Sequence, residues 1–171
     1  MAPKIKAATQ KQIFTEWTHQ HRGLLFKLVR AYAFNATDRD DLFQEISIQL
    51  YNSIPKYRGD SSAPTWIYRV ALYAAIAWSK RERKHSRKEH LAGDEHTLIQ
   101  ANQAQDPRLD WLYDQVARLN EIDRSLTLLL LDGFSYLEMA DILGISESNV
   151  GVKIHRIKQH LTQIAKDNHG I

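Results

Sequence analysis

The sequence predicts an all-α protein: two small helical domains joined by a flexible linker. Three observations carry this. Apolar residues recur at spacings of three and four along most of the chain, with no strand-like alternation to compete. A polar, mildly acidic stretch poor in large apolar residues, 90–109, separates two such regions. The final stretch, 135–164, carries the punctuation of two helices and a tight turn. The expected domains are therefore residues 10–89 and 110–166, with 90–109 as linker.

A chain of 171 residues, 43% of them hydrophobic, suits one medium or two small domains and supplies enough apolar mass for their cores. The formal net charge is only +3, but the pI is near 9.1 and the charge is unevenly placed. The absence of cysteine excludes a disulfide framework and a thiolate metal site. Residues 70–78 form one of the longest apolar runs and are too few to span a bilayer. Lys4, Lys6 and Lys11 are not followed by the apolar run of a signal peptide. The expectation is a cytoplasmic protein without membrane insertion.

A first helix is expected over 10–34, with Ile13, Phe14, Trp17, Leu24, Leu25, Leu28, Val29 and Tyr32 on its apolar side. Gly23 weakens its middle, at about 1 kcal/mol relative to Ala. Asn35-Ala36-Thr37-Asp38 reads as a turn and cap. In the second helix, 39–53, Leu42, Ile46 and Leu50 form the buried stripe with Phe43 beside them. Asp41, Gln44, Glu45 and Ile48 fall on another stripe, either solvated surface or a docking face for a basic partner helix.

Residues 54–64 read as a loop punctuated by Pro55, Gly59 and Pro64. The loop holds Lys56, Tyr57 and Arg58, an aromatic between cations, which suits stacked single-stranded bases and their phosphates. The third helix starts near Thr65. Trp66, Val70, Ala74 and Ala77 are its expected core side, with Arg69, Tyr73, Ile76 and Lys80 on another. A basic run follows: Lys80, Arg81, Arg83, Lys84, Arg87 and Lys88. It is either a solvated helix end or a phosphate-binding surface. Within the linker a short helical piece is expected near Leu98.

Trp111, Leu112, Val116 and Leu119 mark the next amphipathic helix. Residues 121–131 form another, so leucine-rich that it is either deeply buried or meets a partner. Then Ser135 and Glu138 have the spacing of a capping box. Gly144 supplies the left-handed stop, and Ser146 can cap the final helix. There Val150, Ile154, Ile157, Leu161 and Ile164 recur at four, three, four and three, a core stripe. Lys153, Arg156, Lys158 and His160 lie off it. Such a helix-turn-helix with a basic outer face fits a DNA major groove; an ordinary helical hairpin with a solvated face is the alternative.

Two blocks in order resemble one family. Asp41-Leu42-Phe43-Gln44-Glu45, then Tyr57-Arg58-Gly59-Asp60-Ser61, then Thr65-Trp66-Ile67-Tyr68-Arg69-Val70-Ala71 closely resemble region 2 of extracytoplasmic-function (group 4) bacterial sigma factors. Residues 134–161 resemble their region 4. The resemblance implies that the chain binds core RNA polymerase, directs it to promoter DNA and helps open the duplex. Asp41, Gln44, Glu45 and Ile48 would dock on the clamp helices of the β′ subunit. Tyr57, Arg58, Ser61, Thr65, Trp66, Arg69 and Tyr73 would capture the minus-10 element as a single strand, with Lys80 and Arg81 on phosphates. Region 4 would dock near the β flap. Ser148, Asn149, Lys153 and Arg156 would read the minus-35 element, with Lys158 on phosphate. An anti-sigma factor or a recruiting DNA-targeting protein is a further partner this resemblance allows.

The chain departs from the family pattern in three places. Tyr73 stands where Asn is frequent, Leu119-Asn120 replaces a Leu-Pro pair, and Gly151 sits inside the recognition helix where a longer polar residue is common. Two other readings remain: a polymerase-independent helix-turn-helix regulator, and a sigma-like adaptor targeted to DNA by another protein. An enzyme is not expected, since no P-loop, H-E-x-x-H or nucleophile motif is present. No cofactor is expected. The eight histidines are scattered, His19 and His21 being the closest pair; with no cysteine and no acidic cluster beside them, they read as surface histidines rather than zinc ligands.

Overall fold

The computed structural model describes residues 7–89 and 106–169. These form α1 (Ala7–Gln20), α2 (Arg22–Tyr32), α3 (Ala36–Ser53), a 3-10 turn (Ile54–Lys56), α4 (Ala63–Glu89), α5 (Pro107–Arg118), α6 (Glu121–Leu131), α7 (Tyr136–Leu143) and α8 (Glu147–His169). The described residues contain no strand. The chain divides into two compact units, one holding α1–α4 and the other α5–α8.

In the first unit α4 packs against both α2 and α3. Leu25, Leu28 and Tyr32 of α2, Leu42, Ile46 and Leu50 of α3, and Ile67, Tyr68, Ala71, Leu72 and Ala75 of α4 are all buried. Burying a Leu or Ile of this kind stabilises by about 1.5–3 kcal/mol. The small residues at 71 and 75 let α4 lie close to its neighbours. Three expectations need correction here. The first helix is two: the chain turns at His21 (φ −109°, ψ 23°), inside the stretch 18–23 that carries no apolar side chain. The third helix (α4) begins at Ala63, inside the expected loop, because Ser62 stands at its start with its hydroxyl 3.4 Å from the Thr65 amide. Its core side is not 66/70/74/77. Of these only Ala74 is buried; Ala77 is exposed and Trp66 and Val70 are half-buried, while Ile67, Tyr68, Ala71, Leu72, Ala75 and Trp78 face inward. Phe43 stands half-buried beside the α3 stripe, as expected.

In the second unit Val116, Leu126, Leu128, Leu129, Met139, Ile142, Val150, Ile154 and Ile157 form the core. The expected linker overlaps α5: Asp106 caps that helix by accepting from the Arg108 amide at 2.9 Å, and Pro107 opens it with a ring-fixed φ. Residues 90–105, including the expected helical piece at Leu98, lie outside the described residues. Leu161 and Ile164, expected on the α8 core stripe, are half-buried. In the leucine-rich α6, Leu126, Leu128 and Leu129 are buried while Leu131 is exposed.

One joint occurs twice. Asn35 accepts from the Asp38 amide at 2.8 Å, and its own amide donates to the Asp38 carboxylate at 2.7 Å. Arg39 follows, and its Nε donates to the Ala33 carbonyl at 3.1 Å. Asn120 and Asp123 repeat the exchange at 3.0 and 2.7 Å. Arg124 then donates through Nη2 to the Ala117 and Leu119 carbonyls at 2.7 and 3.0 Å. In each joint the Asn serves the amide end of the next helix. The Arg places its charge on the carbonyl end of the previous one.

Candidate nucleic-acid interface

The α3 helix offers a surface opposite its buried stripe. Asp41 and Gln44 are exposed, Ile48 is 55% exposed, and Glu45 is half-buried at the edge. So the structure brings the four candidate docking residues onto one outward face. On one side Phe43 stacks on Phe26, with ring centroids 5.8 Å apart, and the Arg22 guanidinium lies 5.1 Å over Phe26. On the other side Glu45 meets Arg81 of α4 at 3.7 Å. Arg81 was expected on phosphate; here it already faces a carboxylate.

The segment ahead of α4 is held by an aromatic cluster. The Tyr57 ring sits edge-on to Trp17 at 5.3 Å and tilted against Trp66 at 5.5 Å. Its hydroxyl donates to the Ser61 carbonyl at 2.8 Å, and the Trp66 indole N–H donates to Ser53 Oγ at 3.1 Å. Gly59 turns the loop with φ +79°, a region that disfavours side chains with a Cβ. Thr65 is buried and shares a 2.9 Å hydrogen bond with Ser62. Tyr57, Ser61, Thr65 and Trp66 thus shape the loop, and half-buried Trp66 keeps part of its surface open. Arg58 is exposed. Along α4, half-buried Arg69, Tyr73 at 49% exposure, and exposed Lys80 and Arg81 continue the outward side. Side chains 86–89, including Arg87 and Lys88, lie outside the described residues.

Sequence reading missed Trp17 and Ser62. Trp17 is 40 positions from Tyr57, beyond local pattern. Ser62-Ala63-Pro64 is a readable helix start, a hydroxyl residue just ahead of a proline.

The helix-turn-helix follows its sequence signals closely. Ser135 accepts from the Glu138 amide at 3.2 Å and Glu138 accepts from the Ser135 amide at 2.7 Å, a complete capping box. Gly144 ends α7 at φ +67°, ψ 32°. Ser146 Oγ accepts from the Asn149 amide at 3.1 Å and starts α8. With Val150, Ile154 and Ile157 inward, Ser148, Asn149, Val152, His155 and Arg156 are exposed on the other side. Lys158 is exposed further along. Lys153 differs from the other candidates. It is half-buried and leans toward α6, where its ammonium lies 3.8 Å from the Asp123 carboxylate. Gly151 also has a structural neighbour: a Cβ there would stand 3.7 Å from the Tyr136 ring, ordinary van der Waals contact. Among the described residues no group of His, Asp or Glu could hold a metal ion, and no helix is long and apolar enough to cross a membrane.

Comparison with known families decides what these two surfaces belong to. The model for Sigma-70 region 2 matches residues 17–85, and that for Sigma-70 region 4 matches 109–161. The chain belongs to the sigma-70 family. Its relatives place it in the extracytoplasmic-function group. An ECF RNA polymerase sigma-E factor of Haemophilus influenzae is 25% identical over 162 residues, covering 87% of this chain and 85% of the relative. RNA polymerase sigma factor YlaC of Bacillus subtilis is 28% identical over 127 residues, 71% of this chain and 73% of the relative. Among solved structures, CnrH in complex with the cytosolic domain of CnrY superposes with a TM-score of 0.67 at 20% identity, covering 92% of this chain and 90% of that one. The sigma factor RpoE in complex with the anti-sigma factor NepR from Bartonella quintana gives 0.71 at 15% identity, with 88% and 97% covered. At these identities the structures establish the fold of this sigma factor. Region 2 coincides with the α3 face and the aromatic loop, and region 4 with the helix-turn-helix.

Proposed function

We infer that this sigma factor binds core RNA polymerase, directs it to promoters and initiates transcription there. The observation that carries this is the succession of both sigma regions in one chain, each presenting an exposed surface of fitting chemistry. On this reading Asp41, Gln44, Glu45 and Ile48 dock on the β′ clamp helices, a carboxylate-bearing face suited to basic residues opposite. Arg58, Trp66, Arg69, Tyr73 and Lys80 receive the minus-10 element as a single strand. A base held there must leave its stack, at a cost of a few kcal/mol that stacking and hydrogen bonds offset. Tyr57, Ser61 and Thr65 hold the receiving loop in shape, and Arg81 reaches phosphate after leaving Glu45.

Region 4 docks near the β flap and lays α8 in the major groove of the minus-35 element. The first turn of such a helix reaches base edges, which suits exposed Ser148 and Asn149. Arg156 suits guanine, at about 1–3 kcal/mol of discrimination for a bidentate pair. Lys158 suits phosphate. Lys153 reaches DNA only by giving up Asp123. The protein acts as a non-enzymatic subunit in the cytoplasm, where polymerase works. An anti-sigma factor is part of this reading, since one superposable sigma factor was solved with one.

The test is transcription in vitro: core polymerase, this chain and a pool of random promoter fragments, with transcripts sequenced. Discrete start sites that require the chain establish the function, and the aligned upstream DNA gives both elements. Binding to core without start sites would favour an adaptor recruited by another protein. No binding to core would overturn the region 2 assignment. Arg156→Ala should then weaken binding selectively at one minus-35 base pair; a uniform loss would make it a phosphate contact.

A further inference from the structure

The outward face of α8 has an aliphatic at its centre. Val152 is 48% exposed, and among the described residues it is the only large hydrophobic of α8 that is exposed. Its helical neighbours at three and four positions either way are Ser148, Asn149, His155 and Arg156. All four are polar and exposed. The core side of the helix is filled without it, by Val150, Ile154 and Ile157. The turn toward α7 is taken by Gly151 against Tyr136, and the turn toward α6 by Lys153 against Asp123. Val152 therefore packs no core, and a β-branched residue is a weak helix former. A scattered surface valine is ordinary. One at the centre of a polar face whose flanking groups suit base edges has a specific complement in the major groove: the only apolar group there is the thymine 5-methyl.

We propose that Val152 reads the 5-methyl group of a thymine in the minus-35 element. This rests on the major-groove placement of α8 proposed above. The β-branched side chain is stiff at χ1, so its two methyl groups are held in place before DNA arrives. Val152 stands three residues after Asn149 and four before Arg156, about 4.5 and 6 Å along the helix axis. Base pairs are spaced at about 3.4 Å, so the thymine lies within about two base pairs of the pair that Arg156 contacts.

The experiment uses holoenzyme made from core polymerase and the full chain, on promoters recovered from the random pool. Each minus-35 thymine is replaced in turn by uracil, which removes only the methyl group. One position, within about two pairs of the Arg156-sensitive pair, should lose roughly three- to fourfold in affinity, the value of one buried methyl or methylene. With Val152→Ala the same uracil should have no effect, and Val152→Thr, which keeps one γ-methyl, should restore part of it. Ala is the better helix former at an exposed site, so folding of that variant is secure. Uracil that is silent at every minus-35 position, or that costs Val152→Ala as much as the parent, overturns the proposal while leaving the α8 placement intact. Recovered promoters with no minus-35 preference at all would overturn the α8 placement, and this proposal with it.

Discussion

The Glu45 carboxylate on α3 lies 3.7 Å from the Arg81 guanidinium on α4. One belongs to the face proposed for polymerase, the other to the side proposed for promoter phosphate. The two duties therefore share an ion pair in the free protein. With Arg81 well exposed, the pair stabilises the fold by no more than about 1 kcal/mol. It is weak enough to exchange partners when either face is occupied.

Charge reversal at Asp41 should separate docking from folding. Asp41 is exposed on the outward face of α3, so Asp41→Lys should leave the unfolding midpoint unchanged. It should lower core polymerase capture at least about tenfold, because like charges placed across an interface cost several kcal/mol. Glu45→Lys should do the same and also drive Arg81 away. Unchanged capture with both variants would remove α3 from the interface.

Gly151 should be replaceable by Ala with a gain. Its helical backbone is ordinary, and the added Cβ meets Tyr136 at 3.7 Å, a contact without overlap. Denaturant titration should show Gly151→Ala more stable by roughly 0.5–1 kcal/mol. A loss instead would mean that α7 and α8 sit closer than this contact allows.

Asn120 should behave as a cap and not as a damaged proline position. Asn120→Ala should cost about 1 kcal/mol, the usual value of a lost N-cap. Asn120→Pro should fold, since φ is already −63° there and Leu119 is extended at ψ 155°. A proline variant that fails to fold would show that the Asn120 amide N–H is needed.

His21 should make stability depend on pH. Burial pushes its imidazole below the ordinary value of 6.5. Below pH 6.5 the unfolded chain then binds more protons at this site than the folded one, so stability rises with pH through that window. The contribution is fully present above pH 6.5 and lost as pH falls through the lower folded value. Urea titrations at pH 5.5 and 7.5 should show a smaller difference for His21→Gln than for the parent. Equal differences would remove His21 as the cause.

Local signals were readable and distant pairings were not. The capping box at Ser135, the left-handed Gly144 and the Ser146 cap each depend on residues within four positions, and all three are as the sequence predicts. The core side of α4 was misread because Ala71, Ala74, Ala75 and Ala77 surround that helix with small residues, so several stripes look equally apolar. The turn at His21 was masked because Trp17 and Leu24 stand seven apart and keep the helical phase, although residues 18–23 between them carry no apolar side chain. Tyr57 carries an exposed-looking neighbourhood in sequence, between Lys56 and Arg58, yet its ring is claimed by Trp17 of α1. Lys153 likewise looks outward by its charge, and only the approach of α6 reveals Asp123 beside it. The sequence thus offered candidate site residues by kind, while which of them are already engaged became visible only in three dimensions.

The paired Asn-x-x-Asp-Arg joints have a use beyond this molecule. Each corner answers the polar ends of both helices it connects from within five residues and the preceding turn, owing little to the body around it. It is a portable part. Grafted between two helices of an unrelated hairpin, the string should carry its bend along, seen as slow amide exchange at the Asp position; rapid exchange there would show that the corner borrows its shape from its surroundings.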